Sequence, residues 1–226
     1  MAGELENIIV AEDRILLEIQ SNLTSFASIV GWGKHRIPAH TNVAYASSPI
    51  TTGLRMYELF KARGVKSVDE LNKIDPAIMR KEIMIPNIES GENFAQELRS
   101  AKQYAAVICP STFFARGWTQ EHYMSLWERV IENFATKVHF NDSWQYSNGC
   151  VEEYLIGLRT GKFLYEGTSV TPLEPKEALS KIKQALLEIS EIGADIKQMY
   201  TAYRRIELFL FTRKNDAVPE THKLNL

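Results

Sequence analysis

The chain has 226 residues, 45% hydrophobic and 24% charged, an ordinary globular balance that excludes disordered, fibrous and collagen-like classes. With 26 Lys and Arg against 28 Asp and Glu, the net charge of -2 provides no strong cationic field, so nucleic-acid binding is not expected. Two cysteines exclude a disulfide scaffold, and neither Cys109 nor Cys150 has the companions of a zinc site. The acidic start is unlike a secretory signal, and no apolar run reaches the roughly 18 residues of a membrane span. The expectation is a cytoplasmic protein with no membrane partner.

Apolar residues three or four apart over 8–30 (Ile9, Ile15, Leu16, Ile19, Leu23, Phe26, Ile29) predict a leading amphipathic helix. The run 42–46, closed by Ser47-Ser48-Pro49, reads as the first buried strand, and 54–62 suits a helix. A short helix over 67–73, a restart at Pro76 and a loop opening at Pro86-Asn87 follow. Next come a helix over 91–102, a strand over 104–109 stopped by Pro110, a helix over 119–134 and a strand over 137–140. A loop over 142–148, a helix over 149–159, a strand over 162–165 and a helix over 174–192 continue the rhythm. An apolar run at 206–211 precedes a polar tail. Strands alternating with helices imply right-handed crossovers and a mostly parallel sheet covered on both faces. A single α/β domain is expected, with its core at about 42–190, the leading helix before it and an extension over 191–226 after it.

Ligands of such sheets bind beyond the carboxyl ends of the strands. Two loops there have unusual composition. The first, from Ser47 through Ser48, Pro49, Ile50, Thr51, Thr52 and Gly53 to Arg55, offers four hydroxyls, a glycine, a helix start and a guanidinium, a set suited to phosphate or sugar. The same residues also serve turns and caps. The second runs from Asn141 through Asp142, Trp144, Ser147, Asn148 and Gly149 to Glu152 and Glu153. Free amides at the helix start can hold an anion while Glu153, further along the helix, reaches the same pocket; capping by Ser147 or Asn148 is the plain alternative.

The order Tyr45-x-x-Ser48-Pro49-Ile50-Thr51-Thr52-Gly53, Trp144-x-x-Ser147-x-Gly149-x-x-x-Glu153 and Gly161-Lys162 resembles the nucleoside 2-deoxyribosyltransferase superfamily, which includes nucleotide N-glycoside hydrolases. The landmarks span about 42–166 and leave both ends of the chain unexplained. The resemblance implies a flavodoxin-like or Rossmann-like three-layer fold and a glutamate, Glu153, that attacks or stabilises the anomeric carbon of a nucleoside or nucleotide. Transfer to a second base or to water gives a transferase or a hydrolase. Six residues before the glutamate, transferases usually carry Asp and the hydrolases Ser; this chain has Ser147, which favours a nucleoside 5'-monophosphate. Asp142 is the second catalytic candidate, in contact with base or sugar, with a loop cap as its alternative. The implied partners are a small-molecule nucleotide and further copies of the chain, as a dimer or larger, with no cofactor and no metal. A nucleotide-binding sensor or assembly protein without turnover is the competing class.

Helix residues one apart point about 100° away from each other, so only one of Glu152 and Glu153 faces a pocket, and the motif spacing selects Glu153. His122 and His139 lack ligand companions. Trp118, Tyr123, Trp127 and Phe134 read as packing residues, Phe113, Phe114 and Arg116 stand where a base could stack or a plug could sit, and Cys150 reads as structural.

Overall fold

The computed structural model describes residues 42–216; the expected leading helix and the last ten residues lie outside the described part. Four strands, β1 (Val43–Ser47), β2 (Ala106–Ile108), β3 (Lys137–Phe140) and β4 (Phe163–Glu166), form an all-parallel sheet in the order β2-β1-β3-β4. The helices between them are α1 (Leu54–Arg63), α2 (Val68–Ile74), α3 (Ile85–Ser100), α4 (Gln120–Asn133) and α5 (Asn148–Arg159), followed by α6 (Pro175–Glu191) and α7 (Lys197–Asp216). The architecture is the expected three-layer, flavodoxin-like α/β fold, with residues 197–216 of the C-terminal extension folded as α7.

Alternation along the strands assigns the two faces. Tyr45, Val138 and Leu164 share one face through the register Tyr45↔Val138↔Leu164, and α4 and α5 cover it. Ala46 lies on the other face, where Phe94, Ala95 and Leu98 of α3 cover it. The α7 helix packs on α5 and α6, so the extension thickens the first layer. An Arg205–Glu152 ion pair at 3.0 Å ties α7 to the outer side of α5.

The loop expected at Pro86-Asn87 is instead helix. A π-helical segment, Met79–Met84, runs straight into α3, and its wider turn lies directly before Pro86, which has no N–H to donate back along the helix. Its buried face, with Ile83, Asn87, Gly91 and Phe94, is what holds the turn together. The second strand is shorter than the apolar run suggested, because only 106–108 pair with β1. The apolar run at 206–211 lies within α7. No helix among the described residues is long and apolar enough to cross a membrane.

Candidate active site

In chain order β1 leads to β2 on one side of the sheet and β3 lies on the other, so the strand order reverses at the carboxyl ends of β1 and β3, the place where open α/β sheets bind ligands. A cavity of about 350 Å³ opens there. Its walls come from the loop after β1 (Ser48, Ile50, Thr51, Thr52), the turn after β2 (Pro110, Ser111, Phe113, Phe114), Trp118 with the first turns of α4 (Gln120, Tyr123, Met124, Trp127) and the start of α5 (Ser147, Gly149, Cys150, Glu153).

Glu153 is the ionisable carboxylate of this cavity, and it is 6% exposed. Tyr45 Oη donates to its Oε1 at 2.6 Å and Ser47 Oγ to its Oε2 at 2.5 Å. The two donors are alternate residues of β1 and therefore project on the same side, toward α5. Burial raises the Glu153 pKa from 4.5 to about 7, although both hydroxyls pull it down. Burial next to this carboxylate also drives the Tyr45 phenol well above its usual range, so it remains a donor. Glu152 points instead to Arg205, as expected of its neighbouring helix position.

The start of α5 is built from hydroxyls. Ser147 is the N-cap and its Oγ accepts from the Cys150 amide at 3.4 Å and from Thr52 Oγ1 at 3.2 Å. Thr52 Oγ1 in turn accepts from the Asn148 amide at 3.2 Å. With its lone pairs occupied, the Ser147 O–H remains to donate, and Gly149 in the first turn lines the cavity beside it. Gly53 precedes α1 with φ +132, and a Cβ there would lie 2.9 Å from Pro49 Cβ, so the tight return of this loop needs glycine. Pro49 and Gly53 thus shape the loop, while Asn148 acts through its backbone and Tyr45 through Glu153.

Three expected residues stand elsewhere. Trp144 is fully buried, stacked on Tyr154 at 5.4 Å and donating from Nε1 to Glu166 Oε1 at 3.3 Å; the 3-10 turn Trp144–Tyr146 aims it into the core, so it does not touch the cavity. Asp142 and Arg55 are exposed and line a different depression, with Glu89, Asn93 and Thr168. Both stand beside α3, whose residues form most of that depression. Among the described residues that line the Glu153 cavity, none is Lys or Arg. The polar groups it offers an anion among the described residues are hydroxyls, amides and a helix end.

The aromatic residues in and around α4 do more than pack: Trp118, Tyr123 and Trp127 join Phe113 in an edge-to-face cluster that forms one wall, while Phe134 stays in the core. Phe114 is 82% exposed at the rim. The Cys150 thiol is pushed up to about 12 by burial, an inert state for a thiol. His122 accepts from the Thr119 amide in the cap of α4, and His139 is buried in β3 between the Tyr104 hydroxyl and the Gly167 carbonyl. Among the described residues no group of three or more His, Cys, Asp or Glu is placed to hold a metal ion.

Ser47 and Ser111 are the residues whose place sequence reasoning missed. Ser47 stood only among the hydroxyls of the first loop, although its alternation with Tyr45 was there to be read. Ser111 follows Pro110 at the end of an expected strand, a position where ligands bind. Compared with family models, curated proteins and solved structures, this chain matches none.

Proposed function

We propose that the chain cleaves the N-glycosidic bond of a nucleoside 5'-monophosphate, with Glu153 as the nucleophile. The observation that carries this reading is a single buried carboxylate, gripped by Tyr45 and Ser47, in the same cavity as the hydroxyl-rich start of its own helix. An anionic phosphate is favoured by the Ser147 O–H, the Gly149 amide and the positive end of α5.

In the first step a Glu153 oxygen forms a bond to C1' as the C1'–N bond breaks, and the electron pair leaves with the base. Oxocarbenium character at C1' is neutralised by the carboxylate. Water then attacks C1', its oxygen stays on the sugar, and the ester oxygen returns to Glu153 as carboxylate. Tyr45 and Ser47 donate most strongly to the full carboxylate, so they orient it for attack and stabilise it again as a leaving group. A pKa near 7 leaves part of the population ionised at neutral pH, and that part reacts.

One observation favours a second reading, nucleotide binding without turnover: Glu153 is 6% exposed and holds its proton more tightly than an ordinary carboxyl. Incubation with a panel of ribo- and deoxyribonucleoside monophosphates, followed by chromatography for free base, separates the two. Base release by the wild type and its loss in Glu153→Ala supports glycosidic cleavage. Thermal stabilisation by nucleotide with no base release favours the binding protein.

A further inference from the structure

Two serine hydroxyls in the cavity take no part in this scheme. Ser48 is the first residue after β1 and is 8% exposed; Ser111 lies in the 3-10 turn Pro110–Thr112 after β2 and is 7% exposed. Both line the cavity, and neither Oγ has a hydrogen-bond partner among the described residues. They belong together: the parallel register pairs Tyr45 with Ile108, and three residues further along each chain are Ser48 and Ser111. Gly91 of α3 closes the back of the pair. A Cβ at position 91 would lie 2.2 Å from Ser111 Oγ and 3.1 Å from Ser48 Cβ, so the helix backbone presses on both side chains and leaves the cavity as their open side.

Buried hydroxyls without partners are uncommon, because each has given up its water. Two side by side on the wall of one cavity are a preformed polar subsite. The cluster of Phe113, Trp118 and Trp127 supplies flat apolar surface in the same cavity. A heterocycle has matching parts, apolar faces and a polar edge.

We propose that Ser48 and Ser111 form the subsite that hydrogen-bonds the polar edge of the nucleobase; the inference rests on the reading of Glu153 as the group that attacks C1'. Ser47, the neighbour of Ser48, is bonded to Glu153, so a base edge at Ser48 keeps the C1' to which the base is attached beside the carboxylate. When the C1'–N bond breaks, the electron pair stays on the base and its charge spreads to ring nitrogens and carbonyls. The two O–H groups donate to those atoms, more strongly as the charge develops, and the proton that completes the free base comes from water.

The test uses thermal melts of the whole chain, as wild type, Ser48→Ala/Ser111→Ala and Glu153→Gln, with adenine, guanine, hypoxanthine, cytosine or uracil at millimolar concentration, and with ribose 5-phosphate as control. At least one base raises the wild-type Tm, Glu153→Gln keeps that rise and the double variant loses it, while the ribose 5-phosphate shift is common to all three. Without ligand the double variant melts at or above the wild type, since it sheds only unpartnered hydroxyls; a subsite that merely braced the fold would melt lower. Guanosine and 7-methylguanosine monophosphates give the kinetic arm: a methylated base leaves uncharged, so the double variant loses at least tenfold more activity on guanosine monophosphate. An equal base shift in wild type and double variant overturns the proposal, as does the lack of a shift with every base. Base binding that depends on the serines, with no base release from any nucleotide, upholds the subsite and refutes glycosidic cleavage. Base release that depends on Glu153 but is untouched in the double variant does the reverse.

Discussion

Replacing Glu153 by glutamine removes a carboxyl whose burial holds its pKa at about 7 against an ordinary 4.5. That gap corresponds to about 3 kcal/mol between the two protonation states. Below pH 4.5 the carboxyl is protonated in folded and unfolded chains alike, and this group takes nothing from the stability of the wild type. As pH rises toward 7 the unfolded chain releases the proton while the folded one keeps it, so stability falls, and above 7 the loss is complete. Glutamine does not titrate. Its Oε1 accepts from one of the two hydroxyls, and its amide donates to the other, which turns to accept, a change that is the same at every pH. The difference in stability between Glu153→Gln and wild type therefore rises by about 3 kcal/mol between pH 4 and pH 8, about 6–12 °C in Tm for a chain of this length. All other carboxylates are common to both proteins and cancel. Circular-dichroism melts of the pair at half-unit steps read this slope directly, and a difference that stays flat with pH refutes the buried-carboxylate account.

Ser147→Asp keeps an N-cap, so stability changes by no more than about 1 kcal/mol, but it puts like charges together and weakens nucleoside monophosphate binding at least tenfold by titration calorimetry. Unchanged affinity would take phosphate away from the start of α5. His139 is held neutral, with burial lowering its pKa from 6.5, so it contributes stability that is present above the unfolded value and lost as pH falls through the folded one. Its imidazole carbons titrate by NMR at a lower pH than those of a free histidine; a midpoint at or above 6.5 contradicts the burial. Gly157→Ala places a Cβ 2.6 Å from Leu164 Cδ2, and urea unfolding reports a loss of about 1–3 kcal/mol; no loss means that α5 and β4 are not in this contact.

The sheet was legible where one local period decided the outcome. Short apolar runs ending in Ser47 and Phe140 gave β1 and β3, and the stripe of Ala178, Ile182, Ala185 and Ile189 gave α6. The start of α3 was hidden because Pro86 signals a break, whereas here it follows directly on a π-helical segment and the helix continues through it. At the site, Ser147 and Glu153 were readable from helical spacing. Tyr45 and Ser47 needed the further knowledge that β1 faces α5. Phe113 and Phe114 were readable as stacking candidates from their place after the second strand, whereas Ser111 beside Ser48 depends on β2 lying beside β1, a contact between residues some sixty positions apart. Asp142, Trp144 and Arg55 show the opposite failure. Their place in a suggestive loop or motif said nothing of direction, and one turn of backbone, with Ser143 at φ 60, sends the Trp144 ring into the core.

The most direct measurement is mass spectrometry of the acid-quenched protein after incubation with 2'-deoxy-2'-fluoro nucleoside monophosphates, whose fluorine slows attack of water on a glycosyl ester. A fluorosugar-phosphate adduct mapped to the peptide that contains Glu153, and missing from Glu153→Gln, is the predicted result. An adduct on another residue, or base released from these analogues with Glu153 replaced, contradicts the assignment of the nucleophile.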